Sequence, residues 1–347
     1  MIGDMILYLK SAIERGLLIM PILITGGAGY IGSHTVKYFQ NQNEEIIVVD
    51  NMQSGHKESV QADYFYNIDI RDKDQLDKVL KKHNIEAVIH FAANSLVGES
   101  MEKPYEYYHN NVYGMLCLLD VMKENNVNKI VFSSTAATYG EPKSIPILES
   151  DETNPTNTYG ETKLAMEKMM KWFDQPYGTK YVSLRYFNAA GAYESGKIGE
   201  DHHPESHLIP LILQVPLGKR DKIYMFGDDY PTEDGTCIRD YIHVMDLASA
   251  HYKALDYLRN GNNSDVFNLG NGNGYSVKEV IETARKVTGH PISAEVKERR
   301  AGDPATLIAS SDKAKSILGW KPQFDSLEKI IKDAWNWHKN NPNGYKD

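Results

Sequence analysis

The sequence is poor in cysteine, in positive charge and in long apolar runs, and each shortage removes a class of protein. Two cysteines among 347 residues, Cys117 and Cys237, supply neither a disulfide framework nor a cysteine-rich zinc site. They suit a reducing compartment, the cytoplasm. Lys and Arg number 38 against 47 Asp and Glu, for a formal net charge of −9. That argues against general nucleic-acid binding, which rests on neutralising many phosphates together; an anionic small ligand must instead be met by a few locally placed cations. Lys10, Glu14 and Arg15 interrupt the apolar residues of the first twenty positions, so no run there reaches the ~20 apolar residues of a membrane span. A basic start, a longer apolar core and a small-residue cleavage site, the marks of a secretory signal, are missing as well. Residues 1–20 read as an N-terminal extension outside the fold. There are no internal repeats or low-complexity segments, and no motif calls for a metal.

What is present is ordinary globular composition, 41% hydrophobic and 24% charged, at a length that suits about two domains. From Pro21 the chain alternates between short apolar runs and amphipathic stretches. Strands are expected at 21–25, 45–50, 64–69, 87–90, 129–132 and 181–185. Helices are expected at 30–42, 73–83, 104–125 and 159–173. In the long third helix, Val112, Met115, Leu116, Leu119 and Met122 form one apolar stripe. Such alternation predicts a doubly wound α/β domain, a parallel sheet covered on both faces, over residues 21–188. Beyond Asn188 the elements shorten, and residues 189–347 read as a smaller α/β substrate-binding lobe. Part of 237–250 is expected to rejoin the first domain. A helix at 278–288 precedes a variable tail.

Glycines at 26, 29 and 32 are spaced G-x-x-G-x-x-G between the first strand and the first helix. Glycine there permits a tight turn and the close approach of a pyrophosphate to backbone amides at a helix N-terminus. Asp50 ends the second strand, where a carboxylate accepts hydrogen bonds from a ribose diol and repels a 2′-phosphate. This favours NAD over NADP.

Tyr-x-x-x-Lys occurs three times. Pro142 lies between Tyr139 and Lys143, and Ser195-Gly196 between Tyr193 and Lys197, which puts both pairs on turns. Only Tyr159 and Lys163 open a helix, where i and i+4 share one face. A phenol with an ordinary pKa near 10 needs about 4 kcal/mol of help to serve as a base at neutrality; a nearby ammonium and an oxidised nicotinamide both act in that direction. Ser133, Ser134 and Thr135 lie at the carboxyl end of the fifth strand, the edge where such sheets bind ligands. Thr135 is placed to bond a substrate oxygen, whereas hydroxyls such as Ser133 and Ser134 more commonly satisfy local backbone. Together these features describe hydride transfer at a secondary alcohol.

Longer blocks add to this: TGGAGYIGSH from Thr25, VIHFAA from Val88, VGES from Val97, KPYEYYHNNV from Lys103, SLRYFNAAGA from Ser183 and DYPTEDGTCIRDYIHVMDLA from Asp229. On these blocks the chain, from Ile22 onward, resembles the extended short-chain dehydrogenase/reductase family, and within it the epimerases of nucleotide-linked hexoses. The resemblance implies interconversion of UDP-galactose and UDP-glucose, through oxidation at C4, rotation of the 4-keto sugar and return of the hydride. It implies Tyr159 as general base, Lys163 as its electrostatic partner and Thr135 as hydroxyl relay. For NAD it implies Tyr30 and Ile31 in the turn, Asp50 and Asn51 at the ribose, and Asp69 and Ile70 at the adenine. Phe91, Ala92, Ala93, Ser95, Asn110 and Phe187 would line the remaining path. For the UDP-sugar it implies Asn188, His207, Leu208, Tyr224, Phe226, Arg239, Arg300, Asp303 and Leu307. Arginine suits a diphosphate through bidentate donors. The resemblance further implies a homodimer formed through the helices at 104–125 and 159–173.

Three positions depart from the family pattern. Ser95 stands where many relatives carry lysine, which removes a cation near the cofactor pyrophosphate. His207 replaces an asparagine and brings a pH dependence that an amide lacks. Leu307 replaces a tyrosine gate, so an N-acetyl group on the sugar is expected to fit. A UDP-pentose 4-epimerase and other NAD-dependent nucleotide-sugar enzymes remain alternatives. Dehydration is disfavoured by Ala136-Ala137, where an acid pair would be needed. A non-catalytic NAD-binding sensor is disfavoured by the Tyr159/Lys163 pair.

Overall fold

A computed structural model describes residues 20–300 and 303–346; the expected N-terminal extension lies almost wholly outside the described residues. Seven parallel strands make the main sheet: β1 (Ile22–Thr25), β2 (Ile46–Asp50), β3 (Tyr64–Asn67), β4 (Ala87–His90), β5 (Lys129–Ser133), β6 (Lys180–Tyr186) and β11 (Asp265–Leu269). Their order is β11-β6-β5-β4-β1-β2-β3, and every neighbouring pair is parallel. β1, β2 and β4 are buried along their whole length, which is why they read as continuous apolar runs rather than as alternating ones. The order reverses between β1 and β4, so a crevice for a ligand opens at their carboxyl ends.

Helices cover both faces. α1 (Tyr30–Asn41) packs Val36 and Phe39 against Ile22, Ile24, Ile46 and Val48. On the other face α2 (Lys73–His83), α5 (Gly114–Glu124) and α6 (Thr158–Tyr177) bury Leu76, Val79, Leu118, Met122 and Met166 against Leu23, Ile47 and Val88. Asp72 caps α2, and Asn157 caps α6 by accepting from the Gly160 amide at 2.8 Å; each cap satisfies a donor with no partner inside its helix.

Three expectations need correction. The helix expected over 104–125 is α4 (Pro104–Tyr107), a π-helical segment over Tyr108–Tyr113, and α5. Within α5 itself the buried stripe runs through Met115, Leu118, Leu119 and Met122, and Leu116, about 100° round the helix from Met115, is 44% exposed. Secondly, the return to the first domain expected within 237–250 reaches further along the chain. α8 (Val244–Arg259) packs beside α1, β11 pairs with β6, and α10 (Asp312–Ile317) lies against β11. Thirdly, the tail is regular. It carries β13 (Ala294–Lys297), β14 (Thr306–Leu307), α10 and α11 (Leu327–Asn340).

The second core lies in the lobe. Ile209, Ile212 and Leu213 of α7 (Leu208–Leu213) meet Val280 and Ile281 of α9 (Val277–Thr288) and Ile330 and Ile331 of α11. Ser276 and Glu279 form a reciprocal capping box at the start of α9. The lobe's sheets are small: β13 pairs with β8 (Ile223–Phe226), β10 (Tyr241–His243) with β7 (Asn188–Ala190), and β9 (Ile238–Arg239) lies between β12 (Tyr275–Ser276) and β14.

Candidate active site

The glycine turn is held by backbone sterics. Gly26 has φ +74°, and a Cβ there would stand 2.5 Å from the Ala92 nitrogen. A Cβ on Gly32 would stand 2.1 Å from the Gly26 carbonyl oxygen. Gly29 differs, because its nearest neighbour would be the Gly26 oxygen at an ordinary 3.5 Å. The turn therefore needs Gly26 and Gly32 for its own shape, while Gly29 leaves open space at the start of α1, a helix end that no side chain caps. An uncapped helix N-terminus beside a cradle without side chains fits a pyrophosphate. The Asp50 carboxylate accepts from the Ala28 amide at 3.0 Å and the Met52 amide at 2.8 Å. Burial pushes its pKa up, against the pull of those two amides.

The other expected cofactor residues follow the carboxyl edge. Asn51 donates to Asp69 at 3.0 Å, and Asp69 also holds Arg71 through Nε and Nη2; the bond from Arg71 holds the Asp69 carboxyl far below the usual range. Ile70 is buried beneath Gly114. Phe91, Ala92 and Ala93 are partly buried just after β4, while Ser95 is exposed. Tyr30 is turned inward: its hydroxyl donates to the Gly191 carbonyl at 2.7 Å, so toward a ligand it offers backbone. Ile31, also expected in the turn, is partly buried.

Tyr159 and Lys163 stand one turn apart on α6. Lys163 is buried, donates to the Ser133 carbonyl at 2.8 Å, and lies 5.8 Å from the Tyr159 ring centre. The Thr135 hydroxyl, which accepts from the Ala137 amide at 3.1 Å, acts on the Tyr159 phenol to lower its pKa. Burial pushes Tyr159 up to about 12, only partly offset by Thr135. Burial also pulls Lys163 down to about 7, with Glu167 acting in the opposite sense. Ser133 pairs with the Tyr186 hydroxyl and Ser134 donates to Glu167, so both serines serve the frame. Of the other two pairs, Tyr139 donates to Asn268 while Lys143 makes a surface ion pair with Glu152.

Two residues that sequence reasoning missed hold this geometry. Ser100 accepts from the Tyr159 amide at 3.1 Å. Asn111, fully buried in the π-helical segment, accepts from the Asn94 amide and donates to the Thr162 hydroxyl; Asn110 donates to it in turn. Both lie inside blocks quoted above, but only their cross-chain partners reveal what they do.

The expected sugar-nucleotide residues gather from separate segments. Arg239 donates to the Ile238 and Pro304 carbonyls at 2.9 Å and lies 3.5 Å from Asp303. Arg300 bonds Asp303 at 3.1 Å and covers the Phe226 ring at 4.7 Å. Tyr224 and Phe226 share the open face of β8. Leu307 pairs with Arg239 in register and packs, like Phe187, on the Ala136–Tyr139–Ile147 cluster beside Thr135. Asn188 bonds the Asp240 carbonyl, and Leu208 opens α7. His207 is engaged elsewhere, with its ring bonded to the buried Glu200. Burial pushes Glu200 up, but His207 and His202 outweigh it and hold the carboxyl at about 2.

Residues 22–270 match the model of the NAD dependent epimerase/dehydratase family. The chain is 64% identical to a UDP-glucose 4-epimerase of Halalkalibacterium halodurans over 94% of its length and 98% of that protein. It is also similar to a crystal structure of a UDP-glucose 4-epimerase, with 61% identity and a TM-score of 0.93 over 94% of this chain and 100% of the other. A third similar protein is the UDP-glucose 4-epimerase from Brucella ovis, solved in complex with NAD: 43% identity, TM-score 0.90, 91% of this chain and 98% of that one.

Proposed function

The chain belongs to the NAD dependent epimerase/dehydratase family, and from that premise we propose that it is an NAD-dependent isomerase interconverting UDP-galactose and UDP-glucose at C4 of the hexose. One observation carries the mechanism: Tyr159 and Lys163 converge from one helix face on the carboxyl end of β5, where the Thr135 hydroxyl acts on the phenol. When bound, NAD supplies the acceptor and donor of the C4 hydride and the positive charge of its oxidised ring. Gly26, Gly29, Gly32 and the backbone of Tyr30 and Ile31 hold the pyrophosphate. Asp50 and Asn51 take the ribose, and Asp69 and Ile70 the adenine. Phe91, Ala92, Ala93, Ser95, Asn110 and Phe187 line the path to the sugar.

Tyr159 takes the proton of the 4-hydroxyl and returns it, with Thr135 relaying. Even with Thr135 beside it the buried phenol stays near 12, so bringing it to neutrality takes on the order of 7 kcal/mol of preference for the phenolate. A protonated Lys163 supplies part of that by charge. Arg239 and Arg300 bind the diphosphate, with Asp303 orienting both guanidinium groups. Tyr224, Phe226, Asn188 and Leu208 complete the nucleotide face, while His207 turns its ring to Glu200. Proton NMR of the purified protein with UDP-galactose tests the reading: UDP-glucose appears, and Tyr159→Phe lowers the rate by about a thousandfold, as loss of a general base does. Absence of conversion with NAD supplied would sink it.

Leu307 favours a second substrate class. It lies beside the cluster next to Thr135 and carries no hydroxyl, which supports acceptance of UDP-N-acetylhexosamines. Negligible turnover of UDP-N-acetylgalactosamine rejects this. A homodimer is supported by exposed apolar side chains, Tyr105 at 73%, Leu116 at 44% and Trp172 at 66%, on the two helical stretches expected to pair. Light scattering is expected to give twice the chain mass, and Leu116→Asp with Trp172→Asp to give monomer. Two buried free thiols suit a reducing, cytoplasmic setting.

A further inference from the structure

Outside the Tyr159 site, four potential ligands cluster within eight residues of chain: Glu200, His202, Glu205 and His207. One ligand atom from each lies within 4.8 Å of all the others. His202 Nδ1 stands 3.3 Å from Glu200 Oε1 and 3.7 Å from Glu205 Oε1. Tetrahedral ligands about 2.0–2.1 Å from an ion stand about 3.3 Å from each other, so these separations are nearly those of a filled site. The direct bond between His207 and Glu200 opens to admit an ion, and ligand atoms up to 4.8 Å apart draw together around it.

The surroundings hold the cluster in place. Glu200 is 3% exposed, and its carbonyl accepts from the Trp337 indole at 3.0 Å. Glu205 accepts from the Ser206 and His207 amides at 2.8 Å each. A cavity of about 150 Å³ adjoins Glu200, His202 and Glu205, room for several waters. His338 of α11 lines that cavity, and its Nε2 is buried with no hydrogen-bond partner. A buried polar atom left unpaired asks for a group that has yet to be placed there. A water on a metal ion would satisfy it.

We infer that Glu200, His202, Glu205 and His207 form a site for a zinc-type transition-metal dication, which pins the loop ahead of α7 against α11. Imidazole and carboxylate ligands in tetrahedral array suit Zn²⁺. The site is separate from the proton chemistry of Tyr159, so its occupancy tightens the fold without being required for turnover.

The test uses the untagged, NAD-loaded full chain, charged with Zn²⁺ and dialysed against metal-free buffer. Elemental analysis is expected to find one zinc per chain, and His202→Ala or Glu205→Gln to weaken Zn²⁺ binding at least tenfold. His203→Ala serves as control, its ring being 76% exposed and directed at Asp201; it leaves binding unchanged. Co²⁺ added to the unmutated protein is expected to give the intense visible bands of a tetrahedral complex, a readout that no folding defect can imitate. Substoichiometric zinc, binding retained by both variants, or a weak octahedral cobalt spectrum would each overturn the inference.

Discussion

The glycine turn and the arginine face, the two ends of the proposed site, are built in opposite ways. In the turn, backbone meets backbone: Gly32 faces the Gly26 carbonyl and Gly26 faces Ala92, all within or beside one strand–helix unit. In the lobe, side chains meet across long separations, with Arg239 and Arg300 sharing Asp303 and Phe226 beneath Arg300. A backbone-built site tolerates no added atom but needs few particular side chains. A side-chain-built site tolerates small shifts but depends on the identity of each member. The first leaves a short motif in the sequence, and the second leaves scattered residues.

Substitution can break this contrast. The largest effect is expected in the turn. Gly32→Ala sets a methyl 2.1 Å from a carbonyl that cannot yield, and costs more than the usual ~1–3 kcal/mol of overpacking. Gly29→Ala leaves the melting temperature unchanged yet weakens NAD binding, because its methyl fills the space left for the ligand. Equal loss of stability in both variants, by calorimetry, would end the distinction between shape and approach.

Next comes Lys163. Its buried ammonium is held at about 7, well below the unfolded value, so the folded chain binds fewer protons than the unfolded chain above pH 7. Stability of the NAD-free protein therefore rises with pH between about 7 and 10, and below 7 the cost of the buried charge is fully present. Lys163→Met is expected to abolish turnover while stabilising the NAD-free protein by about 2 kcal/mol at pH 6 and by much less at pH 9. A gain independent of pH would show that packing, not charge, is responsible.

The smallest effect sharpens the lobe side. Arg239→Lys keeps the charge and loses the fork, and is expected to raise KM for UDP-galactose about tenfold with little change in kcat. Arg300, 63% exposed, is expected to give about twofold on the same change. Equal effects would make the two arginines interchangeable.

Much of the fold was legible. β1, β2 and β4 are buried on both faces, so their sequences are unbroken apolar runs. The errors arose where local pattern and tertiary placement part. The expected long helix is broken by a π segment over Tyr108–Tyr113, and in the helix after it the side that faces the sheet takes Leu118 rather than Leu116. α8 returns to the first domain within the stretch expected to do so, but β11 follows it, and the five residues of β11, DVFNL, carry no mark of which sheet they join. Ser100 and Asn111 act through partners 59 and 51 residues away, a distance no motif spans.

The sequence by itself determined the doubly wound sheet, the shape of the glycine turn and the Tyr159/Lys163 helix, because steric and periodic constraints act between residues close in the chain. Only the tertiary structure decided that Tyr30 turns inward to Gly191, that His207 is bound to Glu200, and that Arg239, Arg300 and Asp303 meet. Those contacts join segments whose encounter depends on how the lobe packs on the sheet, and hydrogen bonds and ion pairs form between whichever groups that packing brings within reach.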